Sequence, residues 1–227
     1  MSWMRFTRIF ALMGFFSTIF GCKDTSQERE SSEVSISFAV TSDDEHDKLV
    51  EEGTDMIFPH MKLLGRESSV TKKVRIQILE GIGKLDAVTK YNPQNWSAFW
   101  FKGKGYQLLE IHDSSNVEFK ASFDIQKENP DVAREYGASC LEIGLWSEAI
   151  GAAQHAISLE PDSAGLEANL ALALLLGGDT EGAKNAIDRS LQLDPTDAIS
   201  KRVGLIVDEV ISGERPIPKS KSDLYNS

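Results

Sequence analysis

The 227-residue sequence predicts an all-α protein made of stacked helical hairpins, on three observations. The second half is self-similar at a shift of 34 residues, which carries Gly103 onto Gly137, Gly144 onto Gly178 and Ala149 onto Ala183. Pro93, Pro130, Pro161 and Pro195 close stretches of helical composition, and proline lacks the amide that a continuing helix needs. Elsewhere apolar residues recur at helical rather than strand spacing, as in Val74, Ile78, Ile82 and Leu85.

The first element is an address. Arg5 and Arg8 make a short basic start, and residues 9–20 are then uncharged. As a helix that run of 12 residues would reach roughly 18 Å at 1.5 Å per residue, well short of the roughly 30 Å hydrocarbon core. The layout is that of a secretory signal over residues 1–21. Ile19-Phe20-Gly21-Cys22 is similar to the lipobox of bacterial lipoproteins, although Phe20 stands where a small or hydroxyl residue is commoner. That resemblance implies a lipidated Cys22 and attachment to a bacterial envelope membrane facing the periplasm, with Lys23 directing the protein to the outer membrane. An ordinary cleaved signal, or a short anchor with an unmodified Cys22, is the other reading. Residues 22–33 after the cleavage point are polar throughout and form a tether; coil of this length reaches on the order of 20 Å.

Residues 34–92 are the leading part. Val34, Ile36, Phe38 and Val40 alternate with Ser35, Ser37, Ala39 and Thr41, the period of a half-buried strand, and no second strand follows to pair with it. It reads as an extended arm, lying on its own domain or ordered by a partner. Residues 44–64 carry a helical pattern that Pro59 should kink or split, and residues 70–91 carry a clearer apolar stripe.

Residues 93–212 hold the repeats and their lid. Residues 132–162 resemble a tetratricopeptide repeat along their whole length. Tyr136 and Gly137 fit the large–small pair of its first helix, Gly144 the turn, Trp146 the opening of the second helix, Ala149 and Ala156 its small positions, and Pro161 the terminator. One shift forward, Leu170-Ala171, Gly178, Ala183, Ser190 and Pro195 repeat the scheme. One shift back, Lys102-Gly103, Tyr106, Ser115, Phe119 and Ser122 make a more divergent copy, with Lys127 in place of proline and a second helix expected to run on to Pro130. Each hairpin of such a stack leaves an apolar flank that its neighbour must cover. Ile199, Val203, Leu205, Ile206, Val207, Val210 and Ile211 supply a capping helix for the last one, and residues 213–227 read as a polar, extended tail. The resemblance implies a right-handed superhelical stack of three hairpins.

Composition narrows the function. A net charge of -11 without a Lys/Arg cluster excludes nucleic acid as the natural partner, because phosphate backbones require a basic face. His46, His60, His112 and His155 share no metal-ligand spacing, and Gly81-Ile82-Gly83 and Gly103-Lys104-Gly105 lie in helical patterns without a preceding strand. No catalytic residue, metal site or cofactor is therefore expected, and the chain is not read as an enzyme. Cys22 and Cys140 could pair arithmetically, but Cys140 sits mid-helix at a packing position, where a small buried thiol suffices.

The resemblance implies a protein or peptide partner held on the concave face of the first helices. By the family's geometry Trp100, Lys104, Gln107, Arg134, Ala138, Leu141, Ala168 and Leu172 line it. Trp100 beside Lys104 and Arg134 suits an acidic or carboxylate-ended ligand, while for Trp100 plain core packing is an equal reading. The subtype that clamps C-terminal carboxylates needs an asparagine where Ala138 and Leu172 stand, so that activity is not implied. The expectation is an envelope-anchored adaptor, similar in layout to lipoproteins that assist pilus, secretion or outer-membrane assembly. The alternative is an immunity-type lipoprotein that neutralises a delivered toxin; a hydrolase activity in residues 34–92 is a third, minor alternative.

Overall fold

The computed structural model describes residues 38–63 and 70–224. The signal segment, Cys22, the tether and residues 34–37 of the alternating arm lie outside the described residues.

Among the described residues the chain is all-α: α1 (Asp43–Ile57), α2 (Lys72–Tyr91), α3 (Trp96–Leu108), α4 (His112–Ile125), α5 (Pro130–Glu142), α6 (Trp146–Leu159), α7 (Ala164–Leu176), α8 (Thr180–Leu193) and α9 (Ala198–Ser212). Short 3₁₀ turns follow α1 at Phe58–Leu63 and close the described chain at Lys221–Leu224. The helices pair as α1/α2, α3/α4, α5/α6 and α7/α8, each pair stacks on the next, and α9 covers the last. The architecture is the right-handed stack of hairpins with a C-terminal capping helix. A further hairpin, α1/α2, stands at its head.

Local chemistry repeats with the register. Asn95, Asn129, Ser163 and Asp197 stand at the N-caps of α3, α5, α7 and α9, and the Asn95, Asn129 and Asp197 side chains accept amide protons of the first turn. Gly144 and Gly178 take positive φ angles of 77° and 88° at the turns inside their hairpins, and Glu110 occupies the same place in the first repeat at 59°. A side chain at that φ is strained, so only the glycines turn there freely. The small positions do more than fit. Ser122 and Ser190 donate to the carbonyls of Trp96 and Ala164 at 3.0 and 2.8 Å, tying each second helix to the start of its first.

The core is sliced like the stack. One cluster joins α1, α2 and α3 through Leu49, Ile57, Ile78, Leu85, Val88 and Ala98. A second gathers Phe119, Tyr136, Cys140, Ala149 and Ala173, and a third gathers Leu175, Ile187, Val203 and Val207 under the cap. No helix among the described residues is long and apolar enough to cross a membrane.

Three expectations are corrected, and residues 38–41 decide between the two readings of the arm in favour of packing on their own domain. α4 ends at Ile125 instead of running to Pro130, and Lys127 sits in the inter-repeat turn, as Pro93, Pro161 and Pro195 do. Pro130 instead opens α5 behind the Asn129 cap, where the missing amide costs nothing. The apolar residues of α9 do not share one face: Val203, Ile206, Val207 and Val210 are buried, whereas Ile199 and Leu205 are 69% and 65% exposed. Residues 38–41 of the arm form no strand; Phe38 and Val40 lie half-buried on the head cluster, with the Lys84 Nζ 4.6 Å from the Phe38 ring centroid. The tail after Gly213 is not extended but folds back, burying Pro218 and Leu224.

Candidate partner-binding groove

The first helices of successive hairpins, α3, α5 and α7, line the concave side together with α9; α5 touches α7, and α7 touches α9. The structure brings Trp100, Lys104 and Gln107 together on α3. Lys104 is only 5% exposed. Its Nζ lies 2.6 Å from Glu135 of α5, 3.3 Å from the Gln107 Oε1, and 5.2 and 5.6 Å from the ring centroids of Trp100 and Phe119. The Trp100 ring meets Phe101 and Phe119 edge-on at 5.0 and 6.5 Å. Trp100 therefore packs on the core cluster around Phe119 while remaining half-buried.

Arg134 is the exposed member of the predicted set, with 43% of its side chain accessible. Its guanidinium is held at 2.6 Å by Asp131, one helical turn back, and at 3.4 Å by the same Glu135 that holds Lys104. Glu135 thus bridges both expected cations. Lys104 is therefore not free for an acidic ligand, because a buried ammonium needs an internal counter-charge, while Arg134 is paired but stays exposed. Leu141 is buried and lines a narrow apolar slot of about 10 Å³ with Ala138, Ala149, Ala153 and Leu166.

That slot shares Arg134, Leu166 and Asn169 with a larger cleft of about 290 Å³. The cleft lies where the N-terminal turns of α5, α7 and α9 converge. Asp131, Glu160, Asp194 and Asp197 line it, with Arg134 as the single cation among its lining residues. The Thr196 hydroxyl and amide hold the Asp194 carboxyl below its ordinary range, and the Ser200 hydroxyl and amide do the same for Asp197. Both therefore stay charged through the neutral range. Four carboxylates against one guanidinium make the cleft attractive to cations, the opposite sign from that read out of Lys104 and Arg134. The acidic lining was missed, although its signal lay in the register: Glu160 and Asp194 are themselves 34 residues apart.

Cys140, a free thiol, is buried and accepts a hydrogen bond from the Asn116 amide at 3.3 Å; burial raises its pKa, which keeps it in the unreactive thiol form. Among the described residues no group of three or more His, Cys, Asp or Glu could hold a metal ion.

No family model matches the sequence, and no curated protein matches it. Solved structures do. MamA from Desulfovibrio magneticus superposes with a TM-score of 0.56 at 13% identity, over 77% of this chain and 90% of that one. PilF of Pseudomonas aeruginosa gives 0.56 at 15% identity, over 80% and 75%. YrrB, a tetratricopeptide-repeat protein described as having an unusual peptide-binding site, gives 0.55 at 16% identity, over 78% and 88%. At these identities the likeness is one of fold: the chain has the tetratricopeptide-repeat fold.

Proposed function

We propose that this chain is a non-catalytic adaptor that holds a segment of a partner protein in the concave groove of α3, α5, α7 and α9. We further propose that Cys22 anchors it by lipid to a bacterial envelope membrane, facing the periplasm, with the outer membrane favoured by Lys23. The observation that carries the adaptor reading is the cleft of about 290 Å³ that continues into the apolar slot beside Arg134. A charged cleft of this volume, running along the starts of successive first helices, suits an extended or helical segment laid across it. That YrrB, with the same fold, is described as having a peptide-binding site supports this use of the fold.

The test is affinity capture from detergent-solubilised envelope. The baits are wild type and an Arg134→Ala/Gly165→Arg variant. Gly165 lines the cleft, is exposed, and has open space around its Cα, so a long side chain fills the cleft without disturbing the core. Proteins captured by wild type and lost with the variant establish the groove as the working surface. Equal capture by both baits refutes it. In cells, Cys22→Ser should move the protein from the membrane pellet to the soluble fraction; unchanged pelleting would refute the lipid anchor.

A further inference from the structure

The start of α2 carries a surface that neither the stack nor the groove uses. Lys72, Arg75, Ile76 and Leu79 stand at i, i+3, i+4 and i+7, so they share one stripe of the helix, and all four are exposed. Ile76 and Leu79 are 55% and 44% accessible, and Lys73 is exposed on the flank of the stripe. The three cations fall in the opening turn of α2, where the helix dipole favours acids. The opening turns of α1, α4, α5, α6, α7 and α8 each carry an Asp or Glu, and that of α2 carries none. Other elements do not neutralise them either. Among the described residues Lys72, Lys73 and Arg75 form no ion pair, whereas the exposed Lys48, Lys90 and Lys120 each pair with a carboxylate one turn away.

The stripe adds nothing to the head core, which Val74, Ile78 and Leu85 fill from the opposite side of α2. Aliphatic side chains set among cations are the composition of a helix face that lies on a membrane: the aliphatics enter the headgroup boundary and the cations meet anionic headgroups. With a net charge of -11, most of the protein surface is repelled by an anionic bilayer. Exposed charges farther apart than about 8 Å are screened, so attraction is confined to a local patch of this kind. The chain that leads from Cys22 also arrives beside it. It enters the described fold at Phe38, whose ring centroid lies 4.6 Å from the Lys84 Nζ of α2, and Lys84 pairs at 3.8 Å with Glu80, the neighbour of Leu79. A lipid on Cys22 would thus tether the bilayer to the helix that carries the stripe.

We propose that the exposed face at the start of α2, formed by Lys72, Lys73, Arg75, Ile76 and Leu79, docks on a bilayer surface bearing anionic phospholipid headgroups. The inference rests on the anchor reading only for bringing that bilayer within reach, and it adds which surface of the protein meets the membrane. Each cation held near such a surface strengthens binding about fivefold, so the three together give about a hundredfold. The contact is reversible and weakens with salt.

The experiment sediments the unlipidated chain, from residue 22 onward and carrying Cys22→Ser, with vesicles of phosphatidylglycerol and phosphatidylcholine in equal parts or of phosphatidylcholine alone. This chain keeps the compact unit of residues 36–227 whole. It should bind the anionic vesicles at least about tenfold more tightly than the neutral ones, and about 0.5 M salt should remove the difference. Lys72→Gln/Lys73→Gln/Arg75→Gln should weaken anionic binding about a hundredfold, and Ile76→Gln/Leu79→Gln about tenfold. Glutamine keeps helix propensity, all five positions are exposed, and circular dichroism checks that the helices persist. Lys120→Gln/Lys127→Gln/Lys201→Gln, which removes the same charge from exposed positions elsewhere, should change binding less than about twofold. Equal binding to both vesicles, no binding to either, or equal loss in the two triple variants overturns the proposal. So does an Ile76→Gln/Leu79→Gln chain that binds as wild type. Envelope proteins captured through Lys72, Lys73 and Arg75, with no vesicle binding, would assign the face to an acidic protein and overturn it too. Fractionation of cells in high salt strips this contact and reports the acyl anchor alone. If Cys22→Ser protein still pellets there, the anchor falls and the vesicle result stands; if it is released but ignores anionic vesicles, the docking face falls and the anchor stands.

Discussion

Removing Glu135 should destabilise the protein more than removing both members of the pair it forms with Lys104. At 2.6 Å and an effective dielectric of about 20, the Coulomb attraction is on the order of 6 kcal/mol. Desolvating two ions costs several kcal/mol each, so the pair roughly breaks even against an apolar replacement. A single deletion does not break even. In Glu135→Ala the Lys104 ammonium, 5% exposed, keeps only the Gln107 oxygen at 3.3 Å and the faces of Trp100 and Phe119, for a loss of about 3 kcal/mol. For a chain of this length that is a fall in Tm of about 6 to 12 °C. Lys104→Met should cost less, because Glu135 retains Arg134 at 3.4 Å. The Lys104→Met/Glu135→Leu double variant should lie within about 1 kcal/mol of wild type. Urea and thermal unfolding rank the four proteins, and a Glu135→Leu single variant closes the double-mutant cycle that gives the coupling. A loss below about 1 kcal/mol for Glu135→Ala, or a double variant as unstable as the sum of the singles, would refute the reasoning. Lys104 would then reach water and regain the groove-cation role that the sequence implied.

Two further outcomes follow from the repeat geometry and the carboxylates. An added Cβ at Gly103 would come within 2.8 to 3.0 Å of the fully buried Phe119 ring, so Gly103→Ala should destabilise despite alanine's helix propensity, by about 1 kcal/mol net. Glu110→Gly, relieving the φ of 59°, should stabilise by about 1 kcal/mol in the same unfolding assay. Asp194, Asp197 and Asp223 are held below the ordinary 3.8 by hydrogen bonds, so the folded state binds fewer protons than the unfolded one. Their contribution is present above that value and is lost as pH falls through the folded pKa. Burial raises Glu118 and Glu167 above 4.5, with the opposite sign: their contribution declines as pH rises from 4.5 through the raised pKa. Thermal melts should therefore show Tm falling below about pH 4, and Glu118→Gln/Glu167→Gln should flatten the decline on the less acidic side. A Tm independent of pH between 2.5 and 4 would contradict the first assignment.

By itself the sequence determined the elements whose causes are local. The hairpin turns at Gly144 and Gly178 and the terminators at Pro161 and Pro195 act within a turn of their own position, so a 34-residue register was enough to place them. The same locality explains the near misses. Pro130 reads in the sequence as a stop because a proline marks either side of a helix boundary, and the Asn129 cap decides which side. Glu110 gave no sign of its left-handed backbone, since nothing in its residue type asks for one.

The character of the groove was decided by tertiary structure alone. Trp100, Lys104 and Arg134 were legible as residues of the first helices, but how the two cations spend their charge was not. Glu135 comes from the next hairpin, 31 residues after Lys104, and spends its carboxylate on both cations. The acidic cleft gathers Asp131, Glu160, Asp194 and Asp197 from three inter-repeat junctions, and Lys221 meets Glu142 across 79 residues. A periodic pattern tells which face a side chain occupies. Which opposite charge waits on that face depends on the neighbours that the stacked hairpins bring into range, because electrostatic partners are chosen by distance in space.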